Sequence, residues 1–282
     1  MISAASPGQV IDGRYTIIKL VGRGAMADVF EARDGATQEK VAIKMMRDVL
    51  SQDPDAVARF EREALVQQRI RHPNVAVMYG AGLHGSMPYL ALELLEGRSL
   101  LSVLKYEKQI PLMRAVAYGW QALQGLAATH AAGVLHRDMK PANLMLRPNG
   151  DGTERVVLID FGFAALDGAA GITRQGFVVG SLTYMAPERL RSEPVDARAD
   201  LYGLAVVLYE LLSGYPPFRA EDDATLIGDV LEKQPQPLTE ILADVPAAVD
   251  QVIRRALSKY PAERAASATD MAAELAAAVG VG

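Results

Sequence analysis

Three oxygen-bearing side chains follow one another at short intervals in the middle of the chain. Asp138 ends a His-Arg-Asp triplet, Asn143 lies five positions further on, and Asp160 begins an Asp-Phe-Gly triplet. Carboxylate and amide oxygens suit Mg²⁺, and a carboxylate can also orient an attacking hydroxyl. The pattern therefore predicts phosphoryl transfer. A specified residue occupies a given position about one time in twenty, so a chance match of all these letters is very rare.

The composition favours a globular chain and argues against several kinds of partner. The 282 residues are 50% hydrophobic, which is ample for a core. The net charge is −5 and Lys or Arg residues never form a long run, so neither nucleic acid nor an anionic membrane is an expected partner. The absence of cysteine excludes disulfides and thiolate metal sites and fits a reducing cytoplasm.

The sequence carries no evident membrane segment. Residues 1–10 have neither a basic stretch nor a long apolar stretch, so they do not resemble a signal peptide. The longest apolar stretch, residues 201–212, is interrupted by Glu210 and is too short to cross a bilayer, so it predicts a buried helix. We expect a cytoplasmic chain, and a spanning segment beyond Gly282 in a longer parent protein stays open.

Hydrophobic periodicity changes along the chain. A β-type alternation broken by glycines runs through residues 15–46 and predicts a small twisted sheet. A helical spacing follows over residues 55–71, and strand-like sequence returns over residues 75–95. Residues 147–153 are predicted to be a turn between strands.

Helices dominate from Leu100 onward. Long helices are predicted at residues 113–132 and 201–213, and the capping box at residues 267–270 predicts a terminal helix. The chain is therefore interpreted as one domain of residues 1–282, divided into an N-terminal arm (1–14), a small lobe (15–92), a hinge (93–97) and a large lobe (98–282).

A glycine-containing segment lies between two of the predicted strands. Gly22 and Gly24 lack side chains and would let backbone N–H groups approach phosphate oxygens. On this segment alone, a simple hairpin turn is an equally good interpretation. A P-loop is disfavoured because no Gly-Lys-Ser/Thr follows, and a Rossmann turn is disfavoured because a strand follows.

Lys44 is a candidate phosphate-binding cation. Ala42 and Lys44 lie on one face of a predicted strand, where the small residue can admit a base and the cation can reach phosphates. Glu63 is its candidate partner, because helical spacing places this carboxylate beside apolar residues that are buried. The alternative is a partly exposed glutamate at the edge of that apolar stripe.

Together these segments resemble the eukaryotic-type, or Hanks-type, protein kinases, and most closely the bacterial Ser/Thr branch. The resemblance extends over about residues 12–276, and the segments that carry it are residues 22–29, 41–44, 136–143, 160–162 and 186–188. It implies an α+β bilobal fold, with a small antiparallel sheet and one main helix in the N-lobe and a mainly helical C-lobe.

The resemblance also implies an ATP site. Leu92 corresponds to the gatekeeper, residues 93–95 to the hinge that binds adenine, and Met145 to the floor below the base. The full set of implied nucleotide-binding residues is Val21, Gly22, Gly24, Val29, Ala42, Lys44, Leu92, Glu93, Leu95 and Met145.

The same resemblance assigns catalytic and metal-binding roles. Asp138 would orient the substrate hydroxyl, and Asn143 and Asp160 would bind Mg²⁺, with Mn²⁺ as an alternative. Lys44 would hold the α- and β-phosphates, positioned by Glu63. Lys140 would face the γ-phosphate, and a lysine at this place is typical of kinases that act on Ser or Thr hydroxyls of proteins in signal transduction.

The resemblance further implies regulation and bracing of the activation segment. Arg137 would pair with a phosphate, and Thr173 is the predicted autophosphorylation site, whereas Ser181 is predicted to be structural. Glu188 and Arg264 are predicted to form a buried ion pair, and Asp200 is predicted to brace the catalytic loop.

Two other interpretations stay open. A pseudokinase that binds nucleotide as a scaffold is the first, although such chains usually lose a key group and none is missing here. A small-molecule phosphotransferase is the second, although its relatives lack an Ala-Pro-Glu segment.

Ala27 replaces the third glycine of the predicted nucleotide-binding loop. A homodimer through the N-lobe is a further prediction that no residue pattern demonstrates.

Overall fold

The computed structural model describes residues 5–24, 27–46, 64–161 and 182–280. A six-stranded antiparallel sheet forms most of the small lobe, in the order β1-β2-β3-β4-β6-β5. Its strands are β1 (Val10–Ile11), β2 (Tyr15–Arg23), β3 (Ala27–Asp34), β4 (Lys40–Met46), β5 (Met78–His84) and β6 (Met87–Glu93). The predicted sheet is confirmed, and part of the predicted N-terminal arm belongs to it as β1.

The large lobe is mainly helical. A second sheet of three strands lies next to the hinge and contains β7 (Arg98–Ser99), β8 (Leu144–Pro148) and β9 (Glu154–Leu158). The helices are α1 (Leu100–Glu107), α2 (Leu112–Ala131), α3 (Pro187–Leu190), α4 (Arg198–Ser213), α5 (Asp223–Glu232), α6 (Leu238–Ile241), α7 (Ala247–Ala256) and α8 (Ala268–Ala278). The predicted turn between β8 and β9 is confirmed.

The helix predicted over residues 55–71 ends earlier than expected. Residues 55–62 and Glu63 lie outside the described part, and the helical residues that follow are 64–67. Arg71 donates hydrogen bonds to the carbonyls of Gln68 and Ile70, at 2.6 and 2.9 Å. The side chain satisfies carbonyls near the end of the helix, and Pro73 disfavours helical backbone in the residue before it.

The hinge has a close backbone contact that requires glycine. Gly97 has a φ of 151°, and a Cβ atom at this position would lie 2.1 Å from the carbonyl oxygen of Leu146 in β8. Only glycine combines this backbone conformation with this approach. The chain therefore passes from β6 to β7 directly against strand β8.

The long helices α2 and α4 form the centre of the large lobe. Residues on every side of α4 are buried, which confirms that the apolar stretch from Leu201 to Leu212 is a core helix. The two helices approach closely at Gly119, where a Cβ atom would lie 2.6 Å from Leu208 Cδ2. Within the ranges that the structure describes, no helix is both long and apolar enough to cross a membrane.

The predicted helix caps and the buried ion pair are both present. Ser267 accepts a hydrogen bond from the backbone N–H of Asp270 at 3.1 Å, so the terminal helix α8 begins as expected. The guanidinium of Arg264 donates to both carboxylate oxygens of Glu188 at 2.7 Å, and both side chains are fully buried. The pair connects the short helix α3 to the C-terminal part of the large lobe.

Arg264→Ala is expected to lower the free energy of unfolding by about 3–5 kcal/mol, because it leaves the Glu188 carboxylate buried without its partner. Arg255→Ala is the matched control, since the Arg255–Glu274 pair is exposed and a surface pair contributes about 1 kcal/mol or less. Urea unfolding of both variants tests this expectation. Equal unfolding free energies for the two variants would contradict it.

Candidate active site

A cleft lies between the two lobes and contains most of the residues predicted to bind nucleotide. Its empty volume is about 790 Å³, part of which is open to solvent. Strands β2, β3, β4 and β6 supply one wall, and β8 with residues 159–161 supplies the other. The predicted residues that line it are Val21, Val29, Ala42, Lys44, Leu92, Glu93, Leu95, Met145 and Asp160.

The two glycines of the predicted nucleotide loop do not line the cleft. Gly22 lies within β2 and pairs with Val29 of β3, and the N–H of Gly24 donates to the carbonyl of Ala27 at 2.8 Å. The register of β2 shifts between Leu20 and Gly22, as at a β-bulge. Both glycines are therefore part of the β2–β3 hairpin at the edge of the cleft.

Lys44 reaches across the cleft to Asp160. The Lys44 Nζ lies 2.9 Å from Asp160 Oδ1, and Lys44 is paired in the sheet with Leu90 of β6. Asp160 has a φ of 56°, a left-handed conformation that is uncommon for a residue with a side chain. Glu63, the predicted partner of Lys44, lies outside the described residues.

The predicted catalytic loop forms a compact hydrogen-bonded unit. Asn143 Nδ2 donates to the backbone carbonyl of Asp138 at 2.7 Å and to its Oδ2 at 2.8 Å. Lys140 Nζ lies 2.8 Å from the same carboxylate oxygen. The carboxylate of Asp138 is therefore held in one orientation, with a cation and an amide on the same side.

Asp200 at the start of α4 holds this loop from below. Its two carboxylate oxygens accept the backbone N–H groups of His136 and Arg137, each at 2.8 Å. His130 Nε2 lies 2.8 Å from Oδ2 of the same carboxylate. Burial raises the pKa of Asp200, but these hydrogen bonds outweigh it and hold the pKa below its usual range. The predicted bracing role of Asp200 is confirmed.

His136 connects the catalytic loop to the Asp-Phe-Gly segment. Its ring is fully buried and hydrogen bonds through Nε2 to the carbonyl oxygen of Ile159 at 2.9 Å. The ring also packs on Phe161, with centroids 4.7 Å apart. Asp138 and Asp160 are thus fixed relative to each other by contacts that lie behind both carboxylates.

Sequence reasoning missed several residues of the site. Arg189 of α3 donates to the backbone carbonyl of Arg137 at 2.5 Å, so the Ala-Pro-Glu region is bonded directly to the catalytic loop. The further residues that line the cleft are Gln67, Ala76, Leu90, Ile159 and Phe161. For Leu90 the period of two along β6 was a usable signal, because it shares a face with Leu92.

The oxygen donors at the site fit a divalent metal. Asn143 uses its amide nitrogen for both bonds to Asp138, and no described residue donates to its Oδ1. Asp160 contributes a carboxylate that lines the cleft. Across the described residues, no cluster of three or more His, Asp or Glu side chains could hold a metal alone. A metal here would therefore need oxygens from a bound ligand, as Mg²⁺ does when it binds with phosphates.

The fold and this arrangement of groups are those of a bilobal kinase. The family model described as "Protein kinase domain" matches residues 15–275, and the chain belongs to the protein kinase family. The kinase domain of PknI from Mycobacterium tuberculosis superposes with a TM-score of 0.78 at 27% identity, covering 98% of this chain and 100% of that chain. The predicted fold class is confirmed.

Curated relatives place the chain in the bacterial Ser/Thr branch. It is 37% identical over 276 residues to serine/threonine-protein kinase pkn3 of Myxococcus xanthus, covering 95% of this chain and 50% of that protein. It is 39% identical over 261 residues to PknH of Mycobacterium tuberculosis, covering 92% of this chain and 41% of that protein. The chain therefore spans half or less of the length of these relatives.

Asp200→Ala is expected to speed amide hydrogen exchange at residues 136–137 by about tenfold or more, because both buried N–H groups lose their acceptor. Hydrogen exchange followed by mass spectrometry measures this directly. Asp196→Ala is the matched control, since that carboxylate is exposed and, among the described residues, bonds only to Arg198 near the start of α4. Unchanged exchange in Asp200→Ala would show that the carboxylate does not hold the loop.

Proposed function

We propose that this chain transfers the γ-phosphate of ATP to Ser or Thr hydroxyls of protein substrates. The observation that carries the proposal is the fixed carboxylate of Asp138, held by Asn143 and Lys140 and linked through His136 to the Lys44–Asp160 pair. A hydroxyl and a phosphate donor can be aligned between these groups. Alignment and charge neutralisation are the main tasks of a phosphoryl-transfer enzyme.

The cleft suits the nucleotide in one orientation. The adenine would lie between Val29 and Ala42 on one side and Met145 on the other, near Leu92 and the hinge residues 93–95. Val21 is half-exposed at the mouth, and Lys44 lies deeper, so the phosphates would run past the β2–β3 hairpin that contains both glycines. Lys44 would then bind phosphate oxygens with the cation that now pairs with Asp160.

Catalysis would depend on groups with distinct tasks. Asp138 would accept a hydrogen bond from the attacking hydroxyl and take its proton as the new P–O bond forms and the bond from the γ-phosphorus to the ADP oxygen breaks. Lys140, 2.8 Å from that carboxylate, would stabilise the transferred phosphoryl group. Asn143 and Asp160 would bind Mg²⁺, with Mn²⁺ as the alternative, and the metal would neutralise phosphate charge. Glu63 would orient Lys44.

The nature of the acceptor follows from the relatives and from the loop. The relatives are named serine/threonine-protein kinases, and Lys140 lies two residues after Asp138, as in kinases of that specificity. Autophosphorylation of the activation segment belongs to the same proposal, although Thr173 and Ser181 lie outside the described residues. A homodimer through the N-lobe, a cytoplasmic location and the division into lobes also stay predictions.

No observation favours the pseudokinase. Lys44, Asp138, Asn143 and Asp160 are all present, and they form two close pairs, Lys44 with Asp160 and Asn143 with Asp138. A chain selected only as a nucleotide-binding scaffold would not need an oriented Asp138 carboxylate. The proposed function is therefore the enzymatic one.

Asp138→Asn is expected to reduce transfer of labelled γ-phosphate to casein or myelin basic protein by about 10²–10⁴-fold, because the proton acceptor is lost. Asp151→Asn, in the exposed turn between β8 and β9, is the matched control and should retain full activity. Binding of Mg·ADP should persist in both variants. An Asp138→Asn enzyme that transfers phosphate at the unsubstituted rate would contradict the proposed role.

Asn143→Ala is expected to raise the Mg²⁺ concentration needed for half-maximal activity by about tenfold or more, because a metal ligand is lost. Activity measured across a Mg²⁺ titration, and again with Mn²⁺, gives this value and identifies the preferred ion. Asn149→Ala, in the surface turn after β8, serves as the control. An unchanged Mg²⁺ requirement in Asn143→Ala would remove Asn143 from the metal site.

A further inference from the structure

Strand β8 contacts the cleft and the hinge through consecutive residues. Met145 lines the cleft, Leu146 leaves no room for a side chain at Gly97, and Arg147 Nη1 donates to Glu93 Oε1 at 2.9 Å. The Arg147–Glu93 pair lies where β6 ends and the hinge begins, and Gly97 lies at the other end of the hinge. The hinge is therefore held against one strand at both of its ends.

The carboxylate of Glu93 connects the two lobes at this point. Its Oε2 accepts the backbone N–H of Val77 at 3.3 Å, and the Glu93 N–H donates to the carbonyl of Val77 at 2.8 Å. Val77 directly precedes β5 of the small lobe, whereas Arg147 belongs to β8 of the large lobe. One carboxylate thus receives a hydrogen bond from each lobe, at the residue where the hinge begins.

The cross-strand neighbour of Arg147 explains why its side chain reaches the hinge. In the β8–β9 pair, Arg147 lies directly opposite Arg155. Like charges at opposed positions of antiparallel strands repel each other, so the carboxylate of Glu93 is the favoured contact. The side chains of Arg147 and Glu93 are 51% and 21% exposed, and an ion pair this open to solvent adds little to the free energy of folding. Its main effect is thus on the position of the hinge.

We propose that Arg147 is a positioning residue for the nucleotide base and acts through the carboxylate of Glu93. The inference rests on the proposed ATP site, in which the base lies between Ala42 and Met145 beside the hinge backbone. Because Arg147 and Met145 are two residues apart on β8, their side chains lie on the same face of the strand. The ion pair therefore fixes the hinge relative to the floor below the base. Its loss weakens the adenine end of the site and leaves the phosphate end, near Lys44, as it is.

Calorimetric titration with two ligands that share the base tests this role. Adenosine occupies only the base end of the site, and Mg·ADP also occupies the phosphate end. Arg147→Ala is expected to raise the dissociation constants of both ligands by the same factor, about threefold, because the lost contact acts on the base that they share. Arg147→Lys, which can keep an ion pair with Glu93, is expected to retain most of the affinity. In a steady-state assay Arg147→Ala raises KM for ATP and leaves kcat unchanged.

Two further variants separate positioning from a general loss of structure. Arg98→Ala removes ion pairs with Glu107 and Glu154 just beyond the hinge, and these pairs lie within the large lobe, so both dissociation constants should stay unchanged. Arg147→Ala in a Glu93→Ala chain should have no further effect, because the pair is already broken. Arg147→Gln, which removes the charge, replaces Arg147→Ala if the latter fails to fold.

The outcomes distinguish this inference from the proposed function. Unchanged affinity of Arg147→Ala for both ligands overturns the inference while the proposed ATP site stands. A loss confined to Mg·ADP, an equal loss in Arg98→Ala, or a full loss that persists in the Glu93→Ala chain overturns it as well. An unsubstituted chain that binds neither adenosine nor Mg·ADP overturns the proposed ATP site, and the inference with it.

Discussion

The arrangement of the site depends on the hydrogen bonds between the buried carboxylate of Asp200 and the catalytic loop. A charge placed in the core is costly unless it is fully hydrogen-bonded, and Asp200 receives bonds from two backbone N–H groups and from His130. Those N–H groups belong to His136 and Arg137, and Arg137 has a φ of 62°, which a side-chain-bearing residue adopts only under constraint. The core helix α4 therefore holds the backbone conformation of the loop that presents Asp138.

Two further connections extend this constraint to Asp160 and to the Ala-Pro-Glu region. His136 hydrogen bonds to Ile159 and packs on Phe161. These contacts fix the catalytic loop relative to Asp160, which lies between those two residues. Arg189 bonds to the carbonyl of Arg137, and its neighbour Glu188 is fixed by Arg264. The catalytic groups thus lie on loops, but these loops are hydrogen-bonded to core elements or to one another. Such bonds allow irregular backbone to hold the catalytic groups in a fixed arrangement.

Much of this architecture could be predicted from the sequence. The periodicity located the sheet and the long helices, and the spacing of Asp138, Asn143 and Asp160 indicated the chemistry. The end of the helix at Gln67 could not be predicted, because it depends on the Arg71 side chain bonding to nearby carbonyls. Arg189 carried no local signal, since its contact with Arg137 joins residues that are far apart in the chain. The burial of Gln67 could not be predicted either, because an isolated glutamine in a helical pattern is ordinarily a surface residue.

The central proposal is the transfer of phosphate from ATP to a protein hydroxyl. The most direct measurement is incubation of the chain with γ-labelled Mg·ATP and a protein acceptor, followed by phosphoamino acid analysis of the labelled product. We expect label on phosphoserine or phosphothreonine. Label only on phosphotyrosine, release only as inorganic phosphate, or no transfer despite measurable nucleotide binding would contradict it.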